Sequence, residues 1–183
     1  STEIHVGLRN IFRWFKYKII EYNIKNLFSG DMSGKYFFVP LQTLDDFQVK
    51  IHSNFDSIED FISLVLLSFS KYAPRDQTLV IKHHPMDRGR VEYRKFIVDL
   101  SETLDISSRV KVVYDVHLPT LLKNSCGTVL INSTVGLSSM YHNTPVICLG
   151  DSNYDIYGLT SKGQTLDEFW ISPRKVDLNL YKN

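Results

Sequence analysis

The sequence predicts an α/β domain, Rossmann-like and doubly wound, with a mostly parallel five-stranded sheet. Three observations carry that expectation. Short, largely apolar runs alternate with segments whose apolar residues fall at helical spacing. Strands of that kind, separated by helices, imply a parallel sheet covered on both faces. The unusual polar residues gather in the loops just after the apolar runs, where ligands bind in such sheets.

The elements follow in order. Residues 8–28 carry Leu8, Ile11, Phe12, Phe15, Ile19 and Phe28 among others at helical spacing, which reads as an amphipathic helix with a basic face. Ser29, Gly30, Asp31 and Gly34 then form a break. Residues 1–34 are therefore expected as helix and linker, and residues 35–183 as the Rossmann-like domain. Tyr36–Val39 is the first strand, ended by Pro40. Ser57 and Glu59 open a helix that runs to Tyr72, and Pro74 stops it. Strands are expected at 79–82, 110–114, 128–131 and 146–149. Helices are expected at 91–104, 118–123, 134–141 and, within the last loop region, 166–170.

Composition narrows the classes. Hydrophobic residues make up 43% of the 183 residues and the net charge is +1, so no global field points to nucleic acid or an acidic membrane. Lys and Arg are dispersed, which argues against a nucleic-acid surface. Cys126 and Cys148 carry no metal spacing, and Cys148 in Pro-Val-Ile-Cys-Leu reads as a small buried hydrophobe. No apolar run reaches the roughly 18–20 residues of a transmembrane helix. A cytoplasmic setting is expected. The chain starts without Met and reads as part of something longer.

Four loops hold the candidate chemistry. Lys82-His83-His84-Pro85-Met86-Asp87-Arg88-Gly89 puts two imidazoles, an ammonium and a guanidinium at one strand end, a grouping that can hold a phosphate or carboxylate. Pro85 and Gly89 shape the turn. The bland alternative pairs Asp87 with Arg88 and leaves His83 in solvent. Asn132-Ser133-Thr134 opens a helix and offers hydroxyls and backbone N–H groups to an anion, or else Ser133 or Thr134 is an ordinary N-cap. Gln42, Asp45 and Asp46 follow the first strand. Asp45 reads as turn chemistry, and Asp46 stands open between turn residue and base, nucleophile or cation stabiliser. The loop 150–160, with Tyr154, can close over a base or sugar, or be a solvated loop with two packed tyrosines.

Taken together, these motifs resemble the capsule polysaccharide synthesis family. Gln42…Asp46 resembles its Gln-x-x-x-Asp segment, and His84-Pro85 its His-Pro motif. Asn132 to Ser138 with Thr144-Pro145-Val146, and Tyr154-Asp155 through Phe169-Trp170, resemble its later blocks. The match runs from about residue 36 to about residue 175.

The resemblance implies a retaining β-Kdo transferase of bacterial capsule assembly. It implies one half of a GT-B fold, with CMP-β-Kdo as donor and no cofactor or metal. By motif position, Asp46 and His84 are the expected catalytic pair. Ser133 and Thr134 fall where the nucleotide phosphate is expected, with Gln42, Lys82, Arg88, Gly89, Asn132 and Tyr154 as further donor contacts. Expected partners are a glycolipid or polysaccharide acceptor and an N-terminal half or other capsule assembly proteins. Peripheral contact with the inner face of the inner membrane, through helix 8–28, is a further expectation. Two rivals remain: a non-catalytic nucleotide-binding or partner module, and a GT-B-like UDP-sugar epimerase.

Overall fold

A computed structural model describes residues 22, 25–42, 55–84 and 93–181. Most of the expected helix 8–28 lies outside these residues, as do Asp46, Arg88 and Gly89. Five strands form one sheet: β1 (Tyr36–Pro40), β2 (Thr78–Lys82), β3 (Val110–Val113), β4 (Gly127–Leu130) and β5 (Val146–Cys148). Their order is β3-β2-β1-β4-β5, and every pairing is parallel. The expectation of a mostly parallel sheet is thus met by one that is parallel throughout.

The strands alternate their side chains between two apolar layers. Phe37, Val39, Leu79, Ile81, Val129 and Ile147 face one layer. There α1 (Ile58–Tyr72) supplies Phe61, Ile62, Val65, Leu66 and Phe69. Helix α2 (Arg94–Thr103) adds Ile97 to it. On the opposite face Tyr36, Phe38 and Val80 meet Leu121 and Leu122 of α3 (Leu118–Asn124). Leu130 and Val146 meet Met140 of α4 (Val135–Tyr141) there. Strands buried on both sides have no solvent face to make polar, which is why the sequence shows them as apolar runs.

Local signals set the helix ends. Ser57 caps α1 by accepting from Asp60 N at 3.1 Å. Thr165 and Glu168 form a reciprocal capping box on α5 (Leu166–Ile171): Thr165 N donates to Glu168 Oε2 at 2.8 Å and Glu168 N to Thr165 Oγ1 at 3.2 Å. Helix α5 carries Trp170 into the layer beside α1, where its indole N–H donates to Ser68 Oγ at 2.7 Å.

A short final helix, α6 (Leu178–Tyr181), stands where only loop was expected. Its signal was present in Asp177, whose carboxylate accepts from Asn179 N at 2.9 Å and Leu180 N at 3.2 Å. The break at 29–34 is a set of hydrogen-bonded turns, with Met32 N donating to Leu27 O and Gly34 N to Asn124 O. Phe28, just before it, is buried edge-on to Tyr36 at 5.1 Å.

Candidate functional site

The strand order reverses at β1, which has β2 on one side and β4 on the other. Crevices open at such reversals because the connections on the two sides leave over opposite faces of the sheet. The register makes the opening concrete. β1 and β2 pair over five residues, Tyr36 to Pro40, whereas β1 and β4 pair over Phe37↔Gly127 and Phe38↔Thr128. Beyond Phe38 the two chains continue side by side without a ladder, and a side-chain bond bridges them. Gln42 Nε2 donates to Asn132 Oδ1 at 2.8 Å, with Gln42 itself buried.

A cleft of about 310 Å³ lies over this point. Gln42 forms part of its lining, Lys82, His83 and His84 come from the end of β2, and Ser133 and Thr134 from the end of β4. Leu118 at the start of α3 adds an apolar wall that the sequence reading missed. Leu118 follows a strand-end loop, and that position was its available signal. A second cavity of about 500 Å³ shares Thr134 with the first and is lined by Asn132, Leu137, Asp151, Ser152, Asn153 and Tyr154. All four loops singled out in the sequence therefore contribute described residues to one continuous region. Of the expected site residues, Gln42, Lys82, His84, Asn132, Ser133, Thr134 and Tyr154 are brought together there.

The turn after β4 is built for close approach. Ser133 Oγ accepts from Val135 N at 3.3 Å, so its own hydroxyl hydrogen remains a donor. Thr134 occupies the N-cap position of α4 without a side-chain cap bond. The ordinary cap reading thus applies to Ser133 in part and not to Thr134. Tyr154 donates its hydroxyl to the Ser133 carbonyl. Gly136 permits this, since a Cβ there would come within 2.6 Å of Tyr154 Cε2 and Cζ. The Tyr154 ring faces the second cavity while its hydroxyl is already engaged, and burial pushes that hydroxyl's pKa well up. Tyr157, the other loop tyrosine, is exposed rather than packed in the core.

The bland alternative for His83 and the expectation for Cys148 both need correction. His83 does not stand in solvent: it is 2% exposed and packs against the rings of Tyr93 and Tyr114, each 5.5 Å away. Cys148 is partly rather than fully buried. Burial first, and the Asp155 charge second, push its thiol up to about 12. At pH 8 the thiolate fraction is then about 10⁻⁴. Cys148 should alkylate with iodoacetamide at least about tenfold more slowly in the folded chain than in urea, since the thiolate is the nucleophile. Equal rates in the two states would contradict that burial.

Among the described residues no cluster of three or more His, Cys, Asp or Glu could hold a metal ion, and no helix is long and apolar enough to cross a membrane.

Comparison with known proteins agrees with this arrangement. The model of the family described as "Capsule polysaccharide biosynthesis protein" matches residues 3–183. The capsule polysaccharide modification protein LipB of Neisseria meningitidis is 43% identical over 173 residues, covering 94% of this chain and 41% of that protein. The capsule polysaccharide export protein KpsS of Escherichia coli is 37% identical over 180 residues, covering 98% of this chain and 46% of that protein. The chain therefore spans less than half the length of these curated relatives. Among solved structures, the β-Kdo 2,7 transferase KpsC of Thermosulfurimonas dismutans superposes with a TM-score of 0.51 at 17% identity. That likeness covers 81% of this chain and 50% of KpsC, and it establishes a shared fold. Fold, motif order and sequence identity converge: the chain belongs to the capsule polysaccharide biosynthesis family.

Proposed function

We propose that this chain is the nucleotide-sugar-binding part of a retaining glycosyltransferase of capsular polysaccharide synthesis that uses a CMP-activated acidic sugar, CMP-β-Kdo. The observation that carries the reading is the cleft at the β1/β4 reversal, with Lys82 and His84 on one wall and Ser133 and Thr134 on the other. In CMP-Kdo the leaving group is a phosphate. A lysine and an imidazole beside it counter the charge that develops at departure, and the two hydroxyls donate to its oxygens.

The second cavity, with Asn132 and the Tyr154 ring, has room for the nucleoside. Gln42 holds Asn132 in place from the floor. Asp46 is assigned to the cation-like anomeric centre as the sugar departs. Arg88 is assigned as a fork for the sugar's own carboxylate, with Gly89 as a further donor contact. The acceptor is a glycolipid or polysaccharide, reached at the inner face of the inner membrane together with the remainder of the protein or other capsule assembly proteins.

Calorimetric titration of the purified chain with CMP, set against UDP, tests the donor. Binding of CMP in preference to UDP supports the reading. Preference for UDP favours epimerase-like chemistry on a UDP-sugar. The non-catalytic alternative, a nucleotide-binding or partner module, draws on the names of the relatives, which are those of modification and export proteins. Asp46→Asn in the full-length protein separates the two. A catalytic carboxylate predicts loss of transfer by about 10²–10⁴-fold with an unchanged melting temperature. Undiminished turnover would refute the role of Asp46.

A further inference from the structure

The imidazole of His83 is a polar group placed where the apolar layer meets the cleft. It is 2% exposed, lines the cleft and packs against the rings of Tyr93 and Tyr114, with interplanar angles of 32° and 22°. Its backbone N–H continues the sheet by donating to Val113 O at 2.9 Å. Nδ1 lies 3.2 Å from the carbonyl oxygen of His84, the next residue. A carbonyl can only accept, so Nδ1 carries the hydrogen. Nε2 has no hydrogen-bond partner among the described residues.

Burying such a ring without full hydrogen bonding costs stability that a phenylalanine of similar shape would not cost. A purely structural filler against two tyrosines would therefore be apolar. What the imidazole adds is the bond from Nδ1, and that bond ends on the backbone of a residue that lines the cleft.

We propose that His83 is a positioning residue: packed against Tyr93 and Tyr114, it holds the His84 carbonyl through Nδ1 and thereby fixes the backbone from which the His84 imidazole is presented to the cleft. Burial and two ring contacts restrict the imidazole, so the His84 peptide is held against an ordered donor. His83 itself needs no contact with substrate.

The inference rests on the proposed nucleotide site for its binding readout, and a second readout needs no ligand. Asparagine places an amide nitrogen close to the position of histidine Nδ1, and glutamine close to that of Nε2. Long-range proton–nitrogen NMR spectra of the chain report the His83 tautomer and the His84 ring signals. The expected spectrum has the hydrogen of His83 on Nδ1. His83→Phe should shift the His84 ring signals and weaken CMP binding about tenfold at a melting temperature no lower than that of the wild type, the effect of one lost hydrogen bond. His83→Asn should restore both, and His83→Gln neither.

A hydrogen on Nε2 alone, unshifted His84 signals in His83→Phe, or rescue by glutamine in place of asparagine would each overturn the proposal. Should His83→Phe not fold, the wild-type tautomer together with the asparagine and glutamine pair decides. Should the wild-type chain bind no CMP, the donor assignment fails, while the His84 ring signals still decide the role of His83.

Discussion

Trp170→Ala should destabilise the chain by about 3–5 kcal/mol, the range for removing a fully buried tryptophan. Trp170 is 1% exposed and meets Phe37 at 4.9 Å, Phe69 at 5.4 Å and Phe169 at 6.1 Å, all edge-on. Truncation leaves a void among rings held by β1, α1 and α5, so little collapse can fill it. A polar loss adds to the apolar one. The indole N–H donates to Ser68 Oγ, and Ser68 donates in turn to Asp167 Oδ1 at 2.5 Å. Removing the indole breaks this chain at its buried end. A domain of this size holds about 5–15 kcal/mol in all, so the variant should sit near the edge of folding. Urea unfolding followed by circular dichroism measures the loss, and a cost under about 1 kcal/mol would contradict the packing described. Trp170→Phe, which restores most of the volume, should recover much of the difference.

His84→Ala should lower CMP affinity about ten- to hundredfold, the worth of one charge-assisted hydrogen bond to phosphate. The side chain is half-buried at the cleft rim, so its removal opens no core void and the melting temperature should hardly change. His142→Ala is the matched control: it removes an imidazole from the far end of α4, beside Tyr141 and away from the cleft, and should leave CMP affinity unaltered. Equal affinity in wild type and His84→Ala would remove His84 from the site.

The strands were legible because they are apolar runs buried on both faces, apart from the edge strand β3 with its exposed Lys111, and their order along the chain follows from the alternation with helices. The pairing order was not legible. Gln42 and Asn132 stand 90 residues apart, and no local pattern says that β4 rather than β3 lies beside β1. What singled out the loops was the general rule that ligands gather beyond strand ends.

The alternative that left His83 in solvent arises because two adjacent histidines look alike in composition. Alternation distinguishes them. Leu79 and Ile81 face the layer that also holds Tyr93, and His83, two residues on, continues that side while His84 turns toward the cleft. Helix α6 was missed because four residues offer too little periodicity, although Asp177 carried the cap. Trp170 illustrates the opposite case. Its place in a capped helix was readable from Thr165 and Glu168, but its burial between α1 and the sheet depends on contacts about 100 residues away.

The order β3-β2-β1-β4-β5 also governs how the chain can be made. The central strand is synthesised first, yet its second neighbour follows only after about 90 further residues. Until Gly127–Leu130 has emerged, β1 has β2 to pair with on one side and an open edge of Tyr, Phe, Phe and Val on the other. Parallel pairings of such long range form slowly, and an apolar edge left open invites other chains. Fragments that end before β4 should therefore aggregate, while those that include β5 gain a closed central strand. Recombinant domains of this kind are best cut after the whole sheet, not at a convenient loop within it.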